Sequence, residues 1–135
     1  MNMVNEQLII DKLVASLSPF LIVLFGSHAK GTANQDSDVD IAFLSEQNKV
    51  DSYQLFMIAQ DLAAKLNQEV DLIDLQEAST VFQAQVIQTG KVIYCSNQEK
   101  KQLFEIKALK MYTKLNEERA PIFKKIAESG SIYEK

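Results

Sequence analysis

A glycine–serine pair, Gly26-Ser27, is followed after ten intervening residues by Asp38-Val39-Asp40. An Asp-x-Asp on a strand points both side chains to one face, about 7 Å apart along the backbone. Two carboxylates converging there can hold one or two Mg²⁺ ions, hard cations that take oxygen ligands and keep substrate phosphates in their shell. The nearest basic residue in the sequence is Lys30. Neither aspartate therefore has an evident internal partner, and a bound cation would relieve their mutual repulsion. Gly26 lets the backbone approach a phosphate, the Ser27 hydroxyl can donate to one, and the N–H groups at a helix start favour an anion. Phosphate at the turn and metal at the strand give the layout for in-line attack on a phosphoryl group. Such chemistry uses a further carboxylate, to ligate an ion or to take the nucleophile's proton. Asp71 and Asp74 are the candidates. Three residues apart on one strand, they face opposite ways and only one can join the site. Asp71, just ahead of the apolar Leu72-Ile73, is the favoured one; Asp74, near the strand's end, suits a cap for the next helix.

Holding these residues takes a strand, a tight turn and a second strand. Phe20 to Phe25 is an unbroken apolar run between turn signals, which reads as a strand buried on both faces. Residues 28–33 allow a turn or two of helix, and 34–37 form a polar loop. Val39, Ile41 and Phe43 alternate with Asp38, Asp40 and Ala42, the period of a strand. Upstream, Leu8, Ile9, Leu13, Val14 and Leu17 keep helical spacing, with Asn5 as N-cap and Ser18-Pro19 as the stop. Downstream the pattern predicts a helix over about 51–67 capped by Asp51 or Ser52, and a strand at 70–75. A helix around 81–87 follows, with Gly90 as its C′ residue, then a strand at 91–95. Ser96 and Glu99 form a capping box for a long helix to about Glu118. Pro121 kinks or restarts that helix, and the chain frays from Gly130 on.

Helices alternating with four strands make the fold α+β, in an α/β-like arrangement: a mixed sheet of about four strands flanked by helices. The sheet is expected to be mixed because the loop between the first two strands is cramped for a full parallel crossover. Residues 1–96 form the core, and 97–135 a C-terminal helical extension of the same single domain.

A chain of 135 residues is long enough for one domain with a real core. Its longest apolar run is far too short to span a bilayer. The N-terminus shows no basic stretch followed by an apolar one. Cys95 is the only cysteine, which excludes an intrachain disulfide and argues against a thiol-ligated metal. The expected location is the cytoplasm, with no membrane partner. Charge is uneven: residues 1–98 carry 5 Lys and 12 Asp or Glu, whereas residues 99–135 carry 9 Lys or Arg and 6 Glu. An acidic body is a poor electrostatic footprint for a long nucleic acid, because neutralising phosphates takes Lys and Arg.

Gly26-Ser27, ten residues and Asp38-Val39-Asp40 resemble the G-S-x10-D-x-D signature of the DNA polymerase β-like nucleotidyltransferase superfamily. At ordinary residue usage the four fixed positions would match by chance in roughly a few chains of this length per thousand. The short length is similar to the minimal nucleotidyltransferases, the MNT group, many of which are antitoxins paired with a HEPN-domain ribonuclease toxin. The resemblance covers roughly residues 5–95 and implies the polymerase β-like fold, a mixed sheet flanked by helices. It implies that Gly26, Ser27 and Lys30 bind the nucleotide triphosphate, and that Asp38, Asp40 and Asp71 are the catalytic and Mg²⁺-binding carboxylates. Many relatives carry Arg where this chain has Lys30; lysine keeps the charge but loses the bidentate fork. The implied activity is transfer of AMP from ATP to a tyrosine hydroxyl of the partner HEPN toxin, with the two chains forming a hetero-oligomer.

Two other functions fit the same residues. The chain could neutralise a toxin by complex formation without catalysis. It could also modify a small hydroxyl compound of the aminoglycoside type, which an acidic body suits, although such enzymes usually carry an extra C-terminal domain. Among single residues, His28 is the only histidine and lies beside the proposed phosphate turn; a phosphate contact is open to it, but the expected place is the solvent side of its short helix. Cys95 is expected as a small core residue, and the four tyrosines as half-buried packing residues. The Lys-rich helix 97–118 either packs on the sheet with a solvated face or docks a partner.

Overall fold

Each predicted helix forms, and the caps explain where most of them start. In the computed structural model, which describes residues 4–31, 33, 37–46 and 50–129, helix α1 spans Glu6–Leu17. The Asn5 side chain accepts from the Leu8 N–H at 3.1 Å, and Ser18 closes the helix in a left-handed conformation before Pro19. Strand β1 (Pro19–Phe25) runs into the four-residue helix α2 (Ser27–Lys30). Strand β2 (Val39–Ser45) leads to helix α3 (Ser52–Leu66), which Asp51 caps by accepting from the Gln54 N–H at 3.2 Å. Strand β3 (Val70–Asp74), a 3-10 turn (Leu75–Glu77) and helix α4 (Thr80–Thr89) follow. Strand β4 (Lys91–Cys95) and helix α5 (Gln98–Ser129) complete the chain.

The four strands form one mixed sheet in the order β3-β2-β1-β4. The short α2 connection makes β1 and β2 antiparallel, while the α3 crossover makes β2 and β3 parallel. Strand β4 pairs antiparallel with β1. Strands β1 and β2 are central and bury both faces, so they read as near-continuous apolar runs. On one face Ile22, Leu24, Val39, Ile41 and Phe43 pack against α1 and α3 through Ile9, Leu13, Leu17, Ile58 and Leu62. On the other, Leu21, Val23, Ala42 and Leu44 pack with Leu75, Val86 and the partly buried Phe82 and Phe104 of α4 and α5.

Three local expectations are corrected. The cap of α5 is Asn97, whose side chain accepts from the Lys100 N–H at 3.0 Å, rather than a Ser96–Glu99 box. Helix α5 runs on through Pro121 to Ser129 instead of restarting there. Gly90 is extended (φ −78°, ψ 160°), not left-handed. A side chain at Gly90 would collide with Val23, and would come within 2.6 Å of the Val86 carbonyl oxygen, so the glycine serves close packing of α4 on β1. Most of the expected polar loop 34–37, and the stretch from Gly130 expected to fray, lie outside the described residues. No helix among the described residues is long and apolar enough to cross a membrane.

Candidate active site

The sheet register assembles the site. Phe25 at the end of β1 pairs with Asp40 on β2, and Asp40 pairs with Asp71 on β3. Directly paired residues share a face of the sheet, and Asp38, two residues before Asp40, points the same way. Val39, the residue between the aspartates, is fully buried on the opposite face against α1 and α3. Burial of Val39 and Ile41 therefore forces Asp38 and Asp40 to the face that carries α4 and α5. The same register separates the two carboxylates on β3. Asp71 faces Asp40, whereas Asp74 caps the 3-10 turn by accepting from the Gln76 N–H at 3.1 Å.

Gly26 closes the row from above. It sits at φ 71°, ψ −148°, a combination that L residues essentially do not adopt. A Cβ there would run into the Asp40 carboxylate. The absence of a side chain thus lets the turn lie directly against Asp40. Ser27 starts α2 half-buried. The N–H groups of Ala29 and Lys30 both bond to the Gly26 carbonyl (3.1 and 3.2 Å), and the first amides, those of Ser27 and His28, are outside the helix's own ladder. Gly31, left-handed at φ 76°, ends the helix after one turn. Lys30 is exposed at that end, beside the turn rather than inside it.

The electrostatics of the row follow from its geometry. The Asp40 carboxyl titrates above the ordinary carboxylate value, first because burial disfavours its charge, then because Asp71 and Asp38 repel it. A hydrogen bond that the protonated Asp40 carboxyl donates to the Asp71 carboxylate raises it further, and the nearby His28 pulls it the other way. Asp74 is also raised, by burial foremost, against the lowering effect of its bonds to the Gln76 and Val50 amides. Among the described residues none of the three site carboxylates forms a salt bridge with Lys or Arg.

A divalent cation fits this donor set. The donors are all carboxylate oxygens, their charge is uncompensated, and Asp40 and Asp71 are close enough to share a hydrogen bond. Among the described residues no three His, Cys, Asp or Glu side chains are already drawn together at metal-ligating geometry.

Two neighbours were not evident from the sequence. His28 is half-buried, not solvent-facing, and its Nε2 is enclosed with no hydrogen-bond partner among the described residues. Phe25 stacks edge-on with Phe82 of α4, ring centroids 5.3 Å apart, which places an aromatic pair next to Asp40. Position beside the Gly-Ser turn was the only sequence signal for His28; none marked Phe82. Away from the site, Tyr53 is 68% exposed, not half-buried. Cys95 is partly buried against the second core cluster.

Residues 7–99 match the family described as Polymerase beta, Nucleotidyltransferase. The chain is 40% identical over 123 residues to Protein adenylyltransferase MntA of Shewanella oneidensis, covering 90% of this chain and 87% of that protein. It is 34% identical over 86 residues to a protein of the same name from Aphanizomenon flos-aquae, covering 55% of each. Among solved structures, a crystal structure of a toxin–antitoxin with AMP-PNP superposes with a TM-score of 0.82 at 39% identity, covering 91% of this chain and 98% of that chain. A chain of the complex between tri-AMPylated Shewanella oneidensis HEPN toxin and MNT antitoxin superposes with a TM-score of 0.75 at 36% identity, covering 90% and 95%.

Proposed function

The chain belongs to the polymerase β nucleotidyltransferase family, and on that premise we propose that it is a protein adenylyltransferase that transfers AMP from ATP to a tyrosine hydroxyl of a HEPN-domain toxin, acting as that toxin's antitoxin. The observation that carries this reading is the in-register row of Asp40 and Asp71 with Gly26 laid against it. The likeness to adenylyltransferases of this size, and to a complex holding an AMPylated toxin, supports the choice of nucleotide and acceptor. On this reading the chain works in the cytoplasm as part of a hetero-oligomer with the toxin.

The Gly26-Ser27 turn seats the triphosphate, the missing Cβ letting the backbone lie directly against Asp40. The Ser27 hydroxyl donates to a phosphate oxygen, and the exposed Lys30 adds charge at the rim. Asp38, Asp40 and Asp71 would hold Mg²⁺, which when bound neutralises phosphate charge and lowers the pKa of the attacking hydroxyl. The acceptor oxygen forms a bond to the α-phosphorus. The bond from that phosphorus to the oxygen bridging the α- and β-phosphates breaks, and pyrophosphate leaves with the electron pair. Asp71, the most exposed partner of the Asp40–Asp71 pair, takes the hydroxyl proton.

The test is transfer to the partner toxin. Asp38→Asn and Asp40→Asn should each lower the transfer rate by at least about 10³-fold, as expected when a ligand to a catalytic ion is lost. Transfer at the wild-type rate by either variant contradicts the mechanism. Toxin neutralisation by a transfer-dead Asp38→Asn chain would instead show that holding the toxin in a complex suffices.

A further inference from the structure

His28 is a half-buried polar side chain near the carboxylate row that the proposed mechanism does not use. Its ring lies within electrostatic reach of Asp40, yet its Nε2 is shut off from solvent and bonded to nothing among the described residues. A buried polar nitrogen left unpaired is costly, and a hydrogen-bond partner that reaches it on binding removes that cost. Its surroundings narrow the partner. Asp40 is near but unbonded to it. Magnesium takes oxygen ligands and leaves an imidazole nitrogen aside. The ring stands on α2, one residue beyond the Gly26-Ser27 turn that lies against Asp40. The group expected at that place is an anionic oxygen, and an N–H bonded to an anionic oxygen is among the stronger hydrogen bonds in proteins.

We propose that His28 is a nucleotide-positioning residue, whose Nε2–H donates to a triphosphate oxygen once ATP is seated on the turn. This rests on the nucleotidyltransferase reading above and adds a residue to its binding half. The short α2 acts as a bracket: Gly26 sets the approach to Asp40, Ser27 donates from the front, and His28 donates from the enclosed side.

The experiment separates hydrogen bonding from packing. His28→Phe keeps a ring of similar size and removes the donor; His28→Gln places an amide N–H close to where Nε2 stands; His28→Leu repeats the donor loss with a smaller side chain. Binding of α,β-methylene-ATP with Mg²⁺ to the full chain is measured by calorimetry, with thermal unfolding recorded for each variant. His28→Phe and His28→Leu should weaken binding about 10-fold or more, while His28→Gln stays within about 3-fold of wild type. In transfer assays the loss should appear mainly in KM for ATP. Wild-type affinity in a folded His28→Phe or His28→Leu chain overturns the inference and leaves the nucleotidyltransferase reading standing, as does a His28→Gln chain no tighter than His28→Phe. A wild-type chain that does not bind the analogue at all removes that reading itself, and this inference with it.

Discussion

At the scale of single residues, the site is a place where folding and function pull apart. Asp40 faces Asp71 in register and has Asp38 beside it, with no Lys or Arg pairing among the described residues. Like charges set opposite each other on a sheet destabilise it by about 0.2–1 kcal/mol. Asp40→Asn should therefore raise the metal-free unfolding free energy by up to about 1 kcal/mol at neutral pH while abolishing transfer; a drop in stability would contradict this. The pH dependence has a definite sign. Asp40 and Asp74 are both raised above 3.8 in the folded chain. Between that value and the raised one, the folded state holds more protons than the unfolded state, so their contribution to stability is lost as pH rises through the raised values. Metal-free urea titrations at several pH values should show that trend, and a shallower one for Asp40→Asn. Gly26→Ala should be severe in both respects, costing about 1–3 kcal/mol for its backbone conformation alone and driving a methyl group into Asp40. The aspartates and the Gly-Ser turn could be read from the sequence because their spacing is local. The strand offset leaves room for only one of Asp71 and Asp74, and Asp71 is favoured for starting the strand ahead of Leu72-Ile73; in the sheet it is Asp71 that pairs with Asp40. The enclosure of His28 could not be read, because it depends on how α2 folds over β2.

At the scale of elements, caps and close approaches decide the boundaries. Asn5, Asp51 and Ser79 each accept a hydrogen bond from the amide three residues on, and all mark true helix starts. At α5 two adjacent residues both suit the role, and sequence alone favours Ser96 for its Glu99. The chain uses Asn97 instead, because Ser96 is still tied to the sheet: its N–H donates to the Phe20 carbonyl at 2.9 Å. Asn97→Ala should cost about 1 kcal/mol, whereas Ser96→Ala should stay within about 0.5 kcal/mol; chemical denaturation distinguishes them. The four strands were legible from their apolar runs and alternation. Their order was not, because β4 lies beside β1 through contacts that sequence spacing does not encode.

At the scale of the whole molecule, α5 has two characters. One face belongs to the fold: Ala108 is 3% exposed, Phe104 packs on the second core cluster, and Lys100 sits 5.9 Å from the centre of the Phe20 ring. The other leaves Leu103 and Ile106 more than half exposed. Phe104→Ala should thus lower stability by about 2–3 kcal/mol, and Leu103→Gln should leave it nearly unchanged. Removing α5 outright would expose part of the core. The surface ion pairs, such as Lys91–Glu6 at 2.6 Å and Lys100–Glu46 at 2.7 Å, join distant parts of the chain but contribute little at physiological salt. On the proposed reading the molecule carries the nucleotide half of a reaction whose acceptor another chain supplies. The most direct measurement incubates the chain with the HEPN toxin proposed as its partner, Mg²⁺ and ATP labelled at either the α- or the γ-phosphorus. Label should reach a toxin tyrosine from α-labelled ATP only, and not with the Asp40→Asn chain. Label arriving from the γ position, or equal labelling by Asp40→Asn, would contradict adenylyl transfer at this site.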